Sequence, residues 1–318
     1  MITLYELHWS HYCEKIRLAL NYMGLPWRMV GINAFKKTQL RQYPLPPHHS
    51  QYTVPAIYDA QTDQFVMDST PILRYLAAQY PQAPQLFPGD AANRDAIDQQ
   101  IIEFDTFIGL PARRFAYTQV ILECPDLLPD LFLPHRAGGW FSAPLLRTLA
   151  GNCLGMLLCK RFDFHRSEAL GLYEALERYL LELGARVGYR EFIVGTEFSA
   201  ADLTLAALLR PLTIVPFFSE NPYFQGLFER HRTVVARWND EGNFKYQSAI
   251  VQARQRRAPV RRRIRSVYVT QSFSTNGTLA ANDQKTILDW SLLTMPFHYW
   301  VGLRQRKVRQ RDASAGIG

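Results

Sequence analysis

Ser10, Cys13, Asp68 and Ser69 stand where their side-chain chemistry and their place in the chain combine to favour binding of charge. Ser10-His11-Tyr12-Cys13 follows a short apolar run, Ile2 to Leu7, and opens a helical pattern. A helix N-terminus offers unpaired N–H groups and the positive end of the helix dipole, so it favours an anion such as a thiolate. A hydroxyl at the same turn can donate a hydrogen bond to a bound thiolate and lower its pKa. Val54-Pro55 leads into a further apolar run. A proline there cannot donate to a sheet ladder, and a cis bond would turn the Val54 main chain outward to pair with an extended peptide. Asp68-Ser69-Thr70-Pro71 follows a strand pattern and opens a second helix, with Pro71 in the first turn, where its missing N–H costs nothing. The exposed amides and the Ser69 hydroxyl suit a carboxylate and Asp68 suits an ammonium, the two charges at the end of a γ-glutamyl group. Each stretch also has a plain structural reading: Ser10 as a helix cap, Pro55 as an edge-strand proline, Asp68-Ser69 as a capping pair.

The elements that must position these residues are legible in outline. Ile2 to Leu7 reads as a first strand and Trp27 to Ile32 as a second. Between them Ile16, Ala19, Leu20 and Met23 recur at helical spacing, with Glu14, Lys15, Arg17 and Asn21 on the opposite face, and Gly24 and Pro26 stop the helix. Residues 34–53 read as a loop or helix, rich in proline and ending near His48-His49. Strands follow over Val54 to Tyr58 and Gln64 to Met67, then a helix that Pro81 ends. This β-α-β-(loop or helix)-β-β-α order is that of a thioredoxin-like domain. Beyond a proline-rich linker only helical periodicity continues, near 93–118, 142–160, 165–185, 200–214 and 222–240. Ser199 and Asp202 are spaced to cap the helix starting at Ala200. The expected organisation is an α/β thioredoxin-like domain (1–81), a linker (82–92), an all-α helical-bundle domain (93–248) and a basic extension (249–318).

Ser10-x-x-Cys13-x-Lys15-Ile16-Arg17-Leu18-Ala19-Leu20, Val54-Pro55-Ala56-Ile57 and Asp68-Ser69-x-x-Ile72-x-x-Tyr75-Leu76, in this order and spacing, resemble the N-terminal domain of the glutathione S-transferase superfamily. Phe198-Ser199-x-Ala201-Asp202-Leu203-Thr204-Leu205-Ala206 is similar to the capped core helix of that family's helical domain. The resemblance implies a serine-type site in which Ser10 stabilises the glutathione thiolate. It also implies that Val54 pairs with the cysteinyl unit through its main chain, that Pro55 is the cis proline, and that Asp68 and Ser69 hold the γ-glutamyl end. Thr53 stands where the family often has a longer polar residue, and the loop before it is longer and richer in Pro and His than usual. The resemblance therefore does not place the contacts to the glycine carboxylate, for which Lys36, Lys37, His48 and His49 are candidates. An electrophile pocket is expected between the domains, with Phe107, Arg113, Arg114 and Tyr117 as candidates by location. A homodimer is implied by the resemblance alone.

Two other chemistries stay open. Cys13 would serve a glutathione-dependent reductase or isomerase, although Ser10 occupies the position of the attacking thiol in dithiol relatives and Cys13 also reads as a small packed residue. Tyr5, on the first strand, suggests a tyrosine-type mechanism, but its position relative to Arg17 fits that poorly. His48-His49 has no third ligand spaced to join it, so no metal is expected. Three functions follow: a transferase that activates the glutathione thiol for attack on a small electrophile, a non-catalytic binding or scaffolding module on the same fold, and the Cys13-dependent enzyme.

The composition, with 47% hydrophobic and 20% charged residues among 318, is that of a globular protein, and no stretch of 18 apolar residues is present. Met1 to Glu6 reads as a strand rather than a secretion signal, and the four cysteines show no paired or metal-binding spacing, so a reducing, cytoplasmic location is expected. Residues 250–318 hold 13 of the 36 Lys/Arg and 3 of the 28 Asp/Glu, leaving 23 basic against 25 acidic side chains before them. The net charge of +8 is thus a property of the extension, and a nucleic-acid partner is not favoured because no reading module accompanies it. Seven arginines lie in 254–265 and five basic residues in 304–311, with the apolar, aromatic stretch Trp290 to Leu303 between. That pairing suits the surface of an anionic membrane. The full-length protein is expected to pellet with anionic vesicles and a 1–249 truncation to remain in solution; equal pelleting rules the contact out.

Overall fold

The computed structural model describes residues 1–34, 36–132, 144–161, 166–188 and 190–238. The basic extension and the membrane contact expected of it lie outside the described residues.

The N-terminal half contains β1 (Ile2–Glu6), α1 (His11–Tyr22), β2 (Trp27–Gly31), a 3-10 turn (Thr38–Leu40), β3 (Ala56–Asp59), β4 (Gln64–Met67) and α2 (Ser69–Gln79). The strands form one sheet in the order β2-β1-β3-β4, with β1 parallel to β2 and β3 antiparallel to both β1 and β4. Side chains alternate across the sheet. Ile2, Leu4 and Ile57 face the core shared with α1 and α2. Tyr5, Ala56 and Met67 face a second core that includes Leu40 and is flanked by Tyr43 and Tyr52. The loop that follows β2 therefore covers the other side of the sheet, where Tyr43 stacks on Tyr58 and Phe65 at ring separations of 4.9 and 4.5 Å.

The second half is helical: α3 (Ala91–Phe104), a π turn (Asp105–Gly109), α4 (Leu110–Glu123), α5 (Leu128–Phe132), α6 (Pro144–Arg161), α7 (Arg166–Val187), α8 (Ala200–Leu209), α9 (Pro216–Ser219) and α10 (Gln225–Trp238). Where the periodicity ran unbroken from 93 to 118, the backbone loosens into the π turn at Gly109. A Cβ added to Gly109 would lie 2.2 Å from the Tyr12 hydroxyl oxygen, so the tyrosine of α1 occupies the space a side chain would need. Short α5 follows Pro125 and had no periodicity long enough to be read.

Every residue of α8 is buried, as a helix apolar on all sides must be. Its start is closed as the sequence suggests: the Ser199 amide donates to Asp202 Oδ2 at 3.0 Å and the Ala201 amide to Ser199 Oγ at 3.3 Å. Asp202 Oδ1 also accepts the Ile193 amide at 3.0 Å, pinning the chain before the helix. Helix α1 packs between the sheet and α8, so the face opposite its apolar stripe is also covered, and Glu14, Lys15 and Arg17 are 0%, 0% and 3% exposed. Each is neutralised by a partner: Glu14 pairs with Arg210, Lys15 with Asp105 and Arg17 with Glu6. Replacing Asp202 with alanine is expected to destabilise the fold by about 2–4 kcal/mol, because two buried amides lose their acceptor; denaturant titration of both proteins measures it.

Candidate functional site

The sheet register assembles the site. Tyr5 lies opposite Ala56, and Ala56 opposite Met67. The C-terminal end of β1, the N-terminal end of β3 and the C-terminal end of β4 therefore share one edge of the sheet. The three stretches of chemical interest sit just past that edge: Ser10 after β1, Val54-Pro55 before β3, and Asp68-Ser69 after β4. The Val54–Pro55 bond is cis, and the Asp68 amide donates to the Pro55 carbonyl at 3.0 Å, joining the second stretch to the third.

Ser10, half-buried, is the N-cap of α1, and its Oγ accepts the Cys13 amide at 3.4 Å. One hydroxyl has a donor and two acceptor positions, so this cap leaves its proton free to point elsewhere. Cys13 itself is 0% exposed, and burial pushes its thiol pKa up to about 12. Burial and a raised pKa both work against the accessible thiolate that the Cys13 reading requires. His11, next to Ser10, is also buried; desolvation lowers its pKa to about 3, so it is a neutral ring held by Gly109, whose carbonyl lies 3.1 Å from Nε2. Tyr5 points to the opposite side of the sheet from α1, where its hydroxyl lies 2.7 Å from that of Tyr43, so it does not reach the Ser10 end.

Asp68 occupies the N-cap of α2 with φ 67° and ψ 141°, a backbone conformation that costs a non-glycine residue about 1–3 kcal/mol. Its side chain makes no cap bond. Instead Oδ1 accepts the Thr53 hydroxyl at 2.6 Å and Oδ2 accepts His49 Nε2 at 2.9 Å. Ser69, the first residue of α2, is 7% exposed beside it. Thr53 thus belongs to the same end as Asp68, while His49 is an Asp68 partner that sequence spacing did not mark. A separate cavity of about 410 Å³ is lined by Lys36, Lys37, Arg41 and Tyr52 among others, and Lys37 Nζ donates to the Tyr52 carbonyl. Arg41 also escaped the sequence reading, because the fold of the loop brings it to the two lysines.

The expected electrophile pocket divides. Trp9 lies 5.6 Å from Tyr117 and 4.7 Å from Phe132, ring to ring, forming an aromatic wall beside Ser10. Tyr117 is 7% exposed and burial raises its pKa. The charge of Arg113 acts on His11, Tyr12 and Tyr117, which places it near the start of α1. Phe107 turns the other way: half of its surface is exposed and its ring stacks on Tyr179 of α7 at 5.0 Å. Its ring contact is thus with α7. Among the described residues no group of three or more His, Cys, Asp or Glu side chains is arranged to hold a metal, and no helix is long and apolar enough to cross a membrane.

Comparison with known proteins agrees with this architecture. Residues 4–84 match the model of the glutathione S-transferase N-terminal domain. Glutathione S-transferase 1 of Manduca sexta is 29% identical over 122 residues, 38% of this chain and 54% of that protein, so the chain spans about half the length of this curated relative. Among solved structures, the glutathione transferases GSTFuA3 and GSTFuA2 of Phanerochaete chrysosporium are 21% and 19% identical, with TM-scores of 0.53 and 0.51. They cover 75% and 76% of this chain and 97% and 99% of their own. The likeness is one of fold.

Thiol reactivity separates the readings of Cys13. Iodoacetamide at pH 8 is expected to label exposed Cys153 and leave Cys13 and Cys124 unmodified in the native protein, as mapped by peptide mass spectrometry. Rapid native-state labelling of Cys13 would restore the disulfide-exchange chemistry.

Proposed function

We propose, for a chain whose residues 4–84 match the glutathione S-transferase N-terminal domain, that it binds glutathione at the sheet edge beside Ser10 and directs the thiolate at a small electrophile. The observation that carries this reading is the convergence of Ser10, cis Val54–Pro55 and Asp68-Ser69 beyond the aligned residues Tyr5, Ala56 and Met67. In this reading the sulfur faces the Ser10 hydroxyl and the unpaired amides at the start of α1. The cysteinyl unit pairs with the Val54 main chain, the γ-glutamyl ammonium meets Asp68, and its carboxylate meets Ser69 and the first amides of α2. The glycine carboxylate lies toward Lys36, Lys37 and Arg41, three cations around one cavity.

The energetics are within reach of these groups. Lowering a thiol pKa by two units takes about 3 kcal/mol of differential stabilisation. A hydrogen bond to a charged group contributes roughly 1.5–3 kcal/mol and a helix terminus roughly 0.3–2 kcal/mol. His11, buried and held by Gly109 with its pKa lowered to about 3, is too weak a base to compete for the thiol proton. The electrophile would meet the sulfur between α1 and α4, against Trp9, Tyr117 and Phe132, with Arg113 near enough to favour an anionic substrate.

Replacing Ser10 with alanine is expected to lower kcat/KM for conjugation of glutathione to a chromogenic aryl halide by about 100-fold, the loss typical of one donor to a developing anion. The thiolate absorbance of bound glutathione should at the same time appear only at higher pH. Unchanged rates and an unchanged thiol titration in S10A would overturn the assignment of Ser10.

A further inference from the structure

Asp68, the carboxylate assigned above to the γ-glutamyl ammonium, already has a cation-bearing partner. His49 Nε2 donates to Asp68 Oδ2 at 2.9 Å, and His49 Nδ1 lies 3.3 Å from the Pro47 carbonyl. Both ring nitrogens therefore face acceptors. A neutral imidazole carries one N–H and satisfies one of them; the imidazolium carries two and satisfies both. Thr53 holds the other carboxylate oxygen at 2.6 Å, so both oxygens of Asp68 are engaged. The His49 side chain is 25% exposed and that of Asp68 46%, which leaves the pair open to a ligand.

We infer that His49 is a resident counter-ion for Asp68, occupying the place of the ligand's ammonium and yielding it when glutathione binds. The inference rests on the glutathione reading given above and adds a determinant of affinity to that site. It follows from the donor set: an ammonium and an imidazolium ask the same carboxylate oxygen for the same charge-assisted hydrogen bond, so the two compete. The loop that carries His49 includes Pro44, Pro46 and Pro47, and the His49 amide donates to the Pro46 carbonyl at 3.2 Å, so the ring is delivered to Asp68 by a stiff turn.

The pH dependence follows in sign. Among the described residues, the charged side chain that acts on His49 is Asp68, and the Pro46 and Pro47 carbonyls are its polar neighbours. The hydrogen bond to Asp68 leads the causes that raise the His49 pKa above its ordinary value of 6.5. Below that raised pKa the imidazolium holds Asp68 and opposes the ligand. Above it the pair loses its charge attraction and the ligand's ammonium takes the carboxylate.

S-methylglutathione tests this without a thiol to ionise. Its affinity for the full-length protein, measured by calorimetry, is expected to rise about fivefold between pH 5.5 and 7.5, a coupling at the lower end of the usual range. In His49→Gln that slope should vanish, with the affinity at pH 5.5 rising toward the wild-type value at pH 7.5. A wild-type slope retained in H49Q, or binding weakened equally at all pH values, overturns the counter-ion role and leaves the glutathione site standing. Absence of S-methylglutathione binding by the wild-type protein at every pH overturns both.

Discussion

Helix α1 has to do two things that conflict. Its first turn must present unpaired amides at the edge of the sheet, and its remaining turns must lie in the core between that sheet and α8. Burying a helix that carries Glu14, Lys15 and Arg17 removes three charges from water, each at a cost of several kcal/mol unless it is paired. The pairs that answer this cost do not come from the helix itself. Arg17 takes Glu6 from β1, while Lys15 takes Asp105 from the π turn and Glu14 takes Arg210 from beyond α8. The helical half thereby supplies two of the three counter-charges for the helix that heads the site. Lys15 reports the strain in this arrangement: burial outweighs Asp105 and lowers its pKa to about 8.

The same contacts link the site to the second half of the chain. Lys15 Nζ reaches the Thr70 hydroxyl at 3.1 Å as well as Asp105, and Thr70 donates to Asp105 Oδ2 at 3.0 Å. Thr70 is the residue after Ser69, so one hydrogen-bonded cluster joins α1, the start of α2 and the π turn. At the other end of the groove Trp9 donates its indole N–H to the Leu131 carbonyl at 3.0 Å, tying the segment before Ser10 to α5. A shift of the helical half against the sheet would disturb both the amides of α1 and the cap of α2.

Asp68 shows how such a site holds its carboxylate ready. The backbone at this position is unfavourable for any side chain, and the carboxylate forgoes the ordinary cap bond of α2. What compensates is the Asp68 amide bonded to Pro55 and the two donors, Thr53 and His49, that converge on the side chain. The aspartate side chain is held by its neighbours in space, and none of its geometry derives from helix propensity.

Sequence by itself determined the elements and the local chemistry that depends on near neighbours. The four strands, the helix after Ser10, the helix after Asp68 and the Ser199–Asp202 capping pair are encoded by periodicity and by side chains within a few residues of the backbone they bind. Tertiary structure alone decided which faces are buried and which distant groups meet. An i, i+3, i+4 pattern marks the more apolar side of α1 but says nothing of a second layer, so it does not carry the burial of the charged side under α8. Strand alternation sent Tyr5 to the far side of the sheet, Phe107 met Tyr179 of α7, and the proline-rich loop carried His49 to Asp68 across 19 residues. Contacts of this kind depend on the path of the chain through space, and residue spacing along one sequence does not carry that information.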